Sequence, residues 1–312
     1  MEVLRKNSQT GSLDIAGLME TIQRNANYFR RIDQPESGNR FDVFLRRIGT
    51  MDIVVFHPVL LNLIDRFRHV SDAEASLITP IATALESYLV RRMVCGYQTR
   101  GYGNLSIELL KAIVAEPDDS KLIDTVNSVL KGTYGAANWW PDDNFFMQSW
   151  TGRRFYGMLR RERVVMLLQA LEEKYISEIK YAEPVLHFDF SKFQIEHVMP
   201  HKWQEHWSLA DGVSPESREA ALHGIGNLTL LSGELNPALS NAPWNSTSSI
   251  SKRSGLVQHS KLELNQRLSA YVRWDEIAIK ERAKELFENA KVIWPPCPEI
   301  DATISTKGAP HA

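Results

Sequence analysis

Apolar residues recur at helical spacing through most of the first 175 residues, and this period gives way at two short aromatic and β-branched segments, VLHFDF at 185–190 and FQIEHV at 193–198. Such a chain packs helices on helices and carries at most a small β element. Helical period is read over 14–31, over 40–70 with Pro58 suited to a first turn, and from Ser71-Asp72 with Glu74 as far as Met93, before Gly96. Gly101 and Gly103 make a break, 105–115 reads as another helix, and Asp118, Asp119 and Ser120 can cap one running towards Leu130. A turn at WWPDD, 139–143, precedes a long amphipathic helix from Phe155 to Tyr175, whose aromatics are read as core. GNLTLL at 226–231 is a third extended segment, Asn236-Pro237 and Asn241-Ala242-Pro243 punctuate the stretch beyond it, and helical period returns from Leu262 to Val292. No periodic apolar face is found after Pro295, so the tail is expected to be disordered or loosely attached. The fold class expected is mainly α with a small α+β element.

Composition narrows function less. With 43% hydrophobic and 24% charged residues among 312, the chain can bury a real core. It has no apolar run of membrane-spanning length and no secretory apolar stretch in MEVLRKNSQTGSLD, which makes a cytoplasmic location the default. Cys95 and Cys297 imply neither a disulfide framework nor a cysteine-rich zinc site. A formal net charge of −2 does not advertise a polyanion partner. Charge is uneven, however: Arg153, Arg154, Arg160, Arg161 and Arg163 form one cluster and Arg91, Arg92 and Arg100 another, each either a local basic patch or a solvated helix face.

Residues able to do chemistry concentrate in Glu196-His197-Val198-Met199-Pro200-His201, then in G-N-L-T-L-L, then at Asn236, Asn241 and Lys252. His197 and His201 are four apart, but Pro200 interrupts the helix that a zinc-protease motif needs, and Glu196 precedes the first histidine. A zinc or structural metal site from the histidines lacks cysteine ligands. A histidine on a strand is usually a satisfied structural group, and asparagine beside glycine or proline is usually turn chemistry. It is the co-occurrence of these pieces, in order, that argues against coincidence.

In that order they resemble the HNH (His-Me finger) nuclease signature: an acid-His pair ending a strand, a turn containing Pro200, the Asn227-Leu228 segment, and a helix bearing Asn236, nine positions after Asn227. More closely, I-E-H-V-M-P, G-N-L-T-L-L and L-N-P-A-L-S-N resemble the C-terminal domain of GmrSD-type, modification-dependent (type IV) restriction endonucleases. The likeness extends to LESYLVRR at 85–92 and WWPDD at 139–143. The resemblance implies a helical region over 1–180, a ββα-metal HNH core over 181–260, a closing helix over 261–294 and a flexible tail over 295–312.

It also implies metal-dependent hydrolysis of a DNA phosphodiester. Phosphodiester cleavage needs an activated water, a cation on the developing charge and a hold on the phosphate. His197 suits the first task, because a partly neutral imidazole accepts a proton once its tautomer is fixed, here by a backbone carbonyl of the turn. Glu196, pointing to the opposite side of the strand, would hold Mg²⁺ or Mn²⁺ beside Asn236, with Asn241 as its substitute or companion. Glu for the more familiar Asp is a longer ligand of the same chemistry. Asn227 ties the loop to the strand, and Lys252, with Arg253 beside it, can grip phosphate. His201 has a supporting or DNA-contacting role or none, while His206 and His223 read as incidental. The expected substrate is modified or foreign, for example phage, DNA. Such nucleases are coupled to an NTP-hydrolysing partner; no G-x-x-x-x-G-K-[ST] loop is present and 312 residues leave no room for a full NTPase, so a partner domain or subunit is expected. The competing reading is a non-cutting helical DNA-binding or protein-interaction module that depends on that partner.

Overall fold

The computed structural model describes residues 15–36, 38–70, 72, 74–132, 139–179, 189–209, 212–232, 241–246 and 251–299. It is mainly helical, and its described strands form one two-stranded sheet. The chain divides into two compact units, the first Met1–Glu86, Thr99–Trp139 and Glu299–Ala312, the second Ser87–Gln98 and Trp140–Pro298. No helix among the described residues is long and apolar enough to cross a membrane.

The first unit contains α1 (Ile15–Asp33), α2 (Arg40–Thr50), α3 (His57–Arg66), the leading part of α4 (Thr79–Cys95), α5 (Tyr102–Ala115) and α6 (Leu122–Gly132). Asn39 caps α2 by accepting the Asp42 N–H, and Pro58 occupies the first turn of α3. The helical run expected over 40–70 is broken between them, where Asp52 adopts a left-handed φ of 61°. Phe41, Phe44, Phe56, Leu60, Leu105 and Leu109 fill the core of this unit.

The second unit adds α7 (Asp143–Gly152), α8 (Arg161–Glu178), β1 (Phe193–His197), α9 (Pro215–Leu222), β2 (Leu228–Ser232), α10 (Lys252–His259), α11 (Glu263–Gln266) and α12 (Glu276–Ile293). β1 and β2 pair antiparallel, with Phe193 opposite Ser232 and His197 opposite Leu228. α8 packs on both strands and on α12. Val198, Met199, Leu222, Leu231, Leu256 and Ile279 pack with Trp203, Trp207, Trp244 and Trp274 into one apolar cluster.

Two contacts seat β2. Gly226 lies so close to α12 that a Cβ there would fall 2.0 Å from the Ile279 carbonyl oxygen, which leaves no room for any other residue. The buried Arg282 of α12 donates from one guanidinium nitrogen to the carbonyls of Gly226 at 2.7 Å and Leu228 at 2.8 Å. The start of β2 is thereby fixed to a long helix.

Several expectations need correction. The helix expected from Phe155 begins only at Arg161, because Gly157 turns left-handed (φ 81°) and Arg154 and Tyr156 enter isolated β-bridges. α7 comes directly after the WWPDD turn, nucleated by Asp142, whose side chain accepts the Phe145 N–H. The 262–292 run splits at residues 271–275, with Asp275 capping α12. Arg91 and Arg92 form neither a basic patch nor a solvated face, since both are fully buried; Arg91 donates to Trp294 O, Pro141 O and the Asp143 carboxylate. Of the first expected strand, 185–188 lie outside the described residues, and Phe190–Lys192 forms a 3-10 turn capped by Asp189. The tail from residue 300 onward is likewise outside them.

Candidate active site

β1 delivers Glu196 and His197 at its last two positions, after which the chain turns through Val198, Met199 and Pro200. Asn227 shapes that turn. Its backbone carbonyl accepts the Val198 N–H at 2.9 Å, its Oδ1 accepts Met199 N–H at 2.8 Å and Trp274 Nε1–H at 2.9 Å, and its Nδ2 donates to Met199 O and Leu222 O at 2.9 and 3.0 Å. The residue is wholly buried and its amide is committed at both ends, so Asn227 acts on the site through the turn that it holds.

Beyond the turn lies a cavity of about 320 Å³ lined by Glu196, His197, Pro200, His201, Lys202 and Asn241. Strand alternation predicts opposite sides for Glu196 and His197, yet both reach this cavity at the strand's end. Asn241 joins them there, and Asn236 lies outside the described residues. His197 is 7% exposed. Burial, reinforced by His201, His223 and Lys252, pushes its imidazole down to about 3, which keeps it neutral. Among the described residues no backbone carbonyl accepts from this ring, and its Nε2 is buried without a hydrogen-bond partner. The ring is held instead by other rings: Tyr156 edge-on at 4.6 Å and His201 at 4.2 Å between centroids.

Lys252 departs from the expectation that it grips phosphate. It is the first residue of α10, which starts at a capping box formed by Ser251 and Ser254, and its backbone N–H is fixed to Pro243 O at 2.8 Å. Its side chain is fully buried and donates from Nζ to Glu196 Oε1. Burial raises the Glu196 carboxyl and lowers the Lys252 ammonium, while their mutual attraction opposes both shifts. The attraction within the pair thus works against the cost of burying either charge.

Residues 140–289 match the family of GmrSD restriction endonucleases, C-terminal domain. The chain resembles that domain. A search of curated proteins found no match.

The GmrSD-like region encloses the whole cavity lining and also groups that a reading of the sequence missed. His223 sits just past the end of α9, and its carbonyl accepts Phe155 N–H at 2.8 Å and Tyr156 N–H at 3.2 Å, so the strand-like 153–159 segment is strapped to it. Tyr156 stacks on the His223 ring at 5.7 Å and 12°. Exposed Arg154 reaches close enough to help depress the His223 imidazole, a shift due first to burial. His197, His201 and His223 thus form one ring cluster within the GmrSD-like region, with centroids 4.2 to 5.6 Å apart. No local pattern announces this grouping. His201 is recognisable only as a neighbour of the acid-His pair, and His223 only as a residue before Gly224.

Proposed function

We propose that this chain is a metal-dependent DNA endonuclease of the HNH (His-Me finger) type, the nuclease part of a defence restriction system acting on modified or foreign DNA. The observation that carries the reading is a neutral, buried His197 in one cavity with Glu196 and Asn241, inside the region that matches the GmrSD restriction endonuclease domain. Glu196 and Asn241 offer oxygen donors, a set that fits Mg²⁺ or Mn²⁺, and Asn236 is retained as the alternative amide ligand. When bound, such an ion supplies charge stabilisation for the phosphoryl group and the leaving 3′-oxygen.

The chain's own groups do the rest. His197 accepts the proton of the attacking water, and an arriving phosphate strengthens it as a base, since an anion acts on the ring oppositely to Lys252. With Lys252 buried, the phosphate hold falls to cations that stay exposed beside the site, Lys202 on the cavity wall and Arg154 next to His223. Asn227 keeps the His197 turn in register through Met199.

The test is nicking of supercoiled plasmid DNA, modified and unmodified, with Mg²⁺ or Mn²⁺ and with or without nucleotide. Wild type should nick, and His197→Ala should lower the rate by about a hundredfold or more while circular dichroism stays unchanged. An alanine variant as fast as wild type removes His197 from the mechanism. The Lys252–Glu196 pair favours a second reading, in which the chain does not cut alone, because the ammonium holds the carboxylate that an ion would need. In that case wild type is inert with every ion until an NTPase partner is supplied; nicking by wild type alone excludes it.

A further inference from the structure

We propose that His197, His201 and His223 form a binding site for a borderline transition ion of the Zn²⁺ class, distinct from the oxygen-donor site, and that its occupation withdraws His197 from base catalysis. The second half rests on the base assignment above. The first half stands on the geometry alone.

One ring nitrogen from each of the three histidines lies within 4.8 Å of those of the other two. Imidazole nitrogens sit about 2.0–2.1 Å from a tetrahedral zinc, so small side-chain rotations close the triad around an ion. Two ring nitrogens of these residues also need a partner: Nε2 of His197 and Nδ1 of His223 are buried without a hydrogen bond among the described residues. Both residues are more than nine-tenths buried, at 7% and 5% exposure. The second nitrogen of His223 lies 3.3 Å from Glu219 Oε1. A carboxylate there accepts Nε2–H and leaves the Nδ1 lone pair free, the arrangement that orients metal-bound imidazoles.

Ligand chemistry separates this triad from the Glu196 and Asn241 oxygens. Neutral imidazoles suit Zn²⁺, Ni²⁺ or Cu²⁺, whereas carboxylate and amide oxygens suit Mg²⁺ and Mn²⁺. Exposed His201 leaves one side of the triad open to solvent, so a fourth position remains for water. Tyr156 packs against all three rings. Plain ring stacking does not account for the arrangement, because an aromatic core gains nothing from two buried nitrogens without partners. An ion on the triad occupies the His197 lone pair that base catalysis uses.

The experiment titrates Zn²⁺ into the metal-free full chain by calorimetry and monitors Co²⁺ binding by visible absorption. The expected result is one site per chain, weakened at least tenfold by His223→Gln and by the exposed His201→Gln, and unaffected by His206→Gln. In plasmid nicking with excess Mg²⁺, one equivalent of Zn²⁺ should slow wild type at least tenfold, whereas the rate of His223→Gln, each protein compared with its own zinc-free rate, should not change on adding zinc. Absence of a calorimetric site, or a site indifferent to both triad substitutions, overturns the proposal. Zinc held by the triad without effect on nicking overturns the inhibitory half. A wild type that binds zinc through the triad but fails to nick with either Mg²⁺ or Mn²⁺ upholds the site and instead overturns cutting by the chain alone, and the inhibitory half with it.

Discussion

Asn227 and His197 meet at the same turn but have opposite surroundings. Every polar atom of the Asn227 side chain has a protein partner, whereas His197 Nε2 has none among the described residues. Truncating Asn227 to alanine leaves Met199 N–H, Met199 O, Leu222 O and Trp274 Nε1–H to find new partners in a buried site. At about 1–3 kcal/mol for each buried group left unpaired, Asn227→Ala should destabilise the fold by roughly 3 kcal/mol or more, read from urea denaturation midpoints. A variant as stable as wild type would show that the amide only fills space. The same contrast explains what sequence can and cannot reveal about the site. Glu196, His197 and Asn227 announce themselves through short local strings, because strand end, turn and loop tie are each encoded by neighbours. His223 and Tyr156 carry no such string, being brought to His197 by the hydrogen bonds of 153–159 to the His223 carbonyl. The burial of Lys252 was unreadable for a similar reason, since it depends on where α10 starts relative to β1, which the Ser251 cap and the Pro243 carbonyl decide.

Among the elements, helices were legible where a recognised cap or proline coincides with the apolar period, as with Pro58 at α3 and Asp118 before α6. α7 was not expected, although Asp142 caps it, because the WWPDD turn hides its start. The period alone misplaces ends where one residue turns left-handed, as at Asp52 and Gly157, because such a φ interrupts the backbone ladder without disturbing the apolar pattern. α11 is a harder case. It is only four residues long and is capped from a distance, since the buried Glu172 of α8 accepts the N–H groups of Glu263 and Leu264 at 2.8 and 2.9 Å. Burial raises the Glu172 carboxyl and outweighs those two donors. A carboxyl whose folded pKa lies above its unfolded value, about 4.3, stabilises the fold fully below that pH and loses its contribution as pH rises through the folded value. Wild type should therefore lose stability relative to Glu172→Gln, which does not titrate, as the pH is raised from 4 to 7.5. Denaturation midpoints of the two proteins at both pH values give the comparison. A wild type that instead gains on the glutamine variant would mean that capping of α11 dominates over burial.

For the whole molecule, the reach of the family match and the reach of the compact unit differ in a way that packing explains. The match begins at residue 140, yet the second unit also takes in Ser87–Gln98. That strip of α4 is internal to the unit. Ser87 donates to Pro295 O, Tyr88 packs edge-on against Trp140 at 5.8 Å, and Arg91 ties Trp294, Pro141 and Asp143 together from a fully buried position. Arg91 also lies over the Phe146 ring, which in turn packs on Trp150 and Phe287. A chain shortened to begin at Trp140 keeps all the cavity residues but loses the arginine that satisfies three carbonyl or carboxylate groups and the tyrosine that covers Trp140. Those acceptors and rings would meet solvent or rearrange, and because α12 carries both Phe287 and the Arg282 that seats β2, the disturbance reaches the strand pair. The shortened chain should melt at a lower temperature and over a broader range than the intact protein, with slower plasmid nicking. Cooperative melting at the intact protein's temperature would show that the 87–98 strip is a passenger on this unit rather than part of its core.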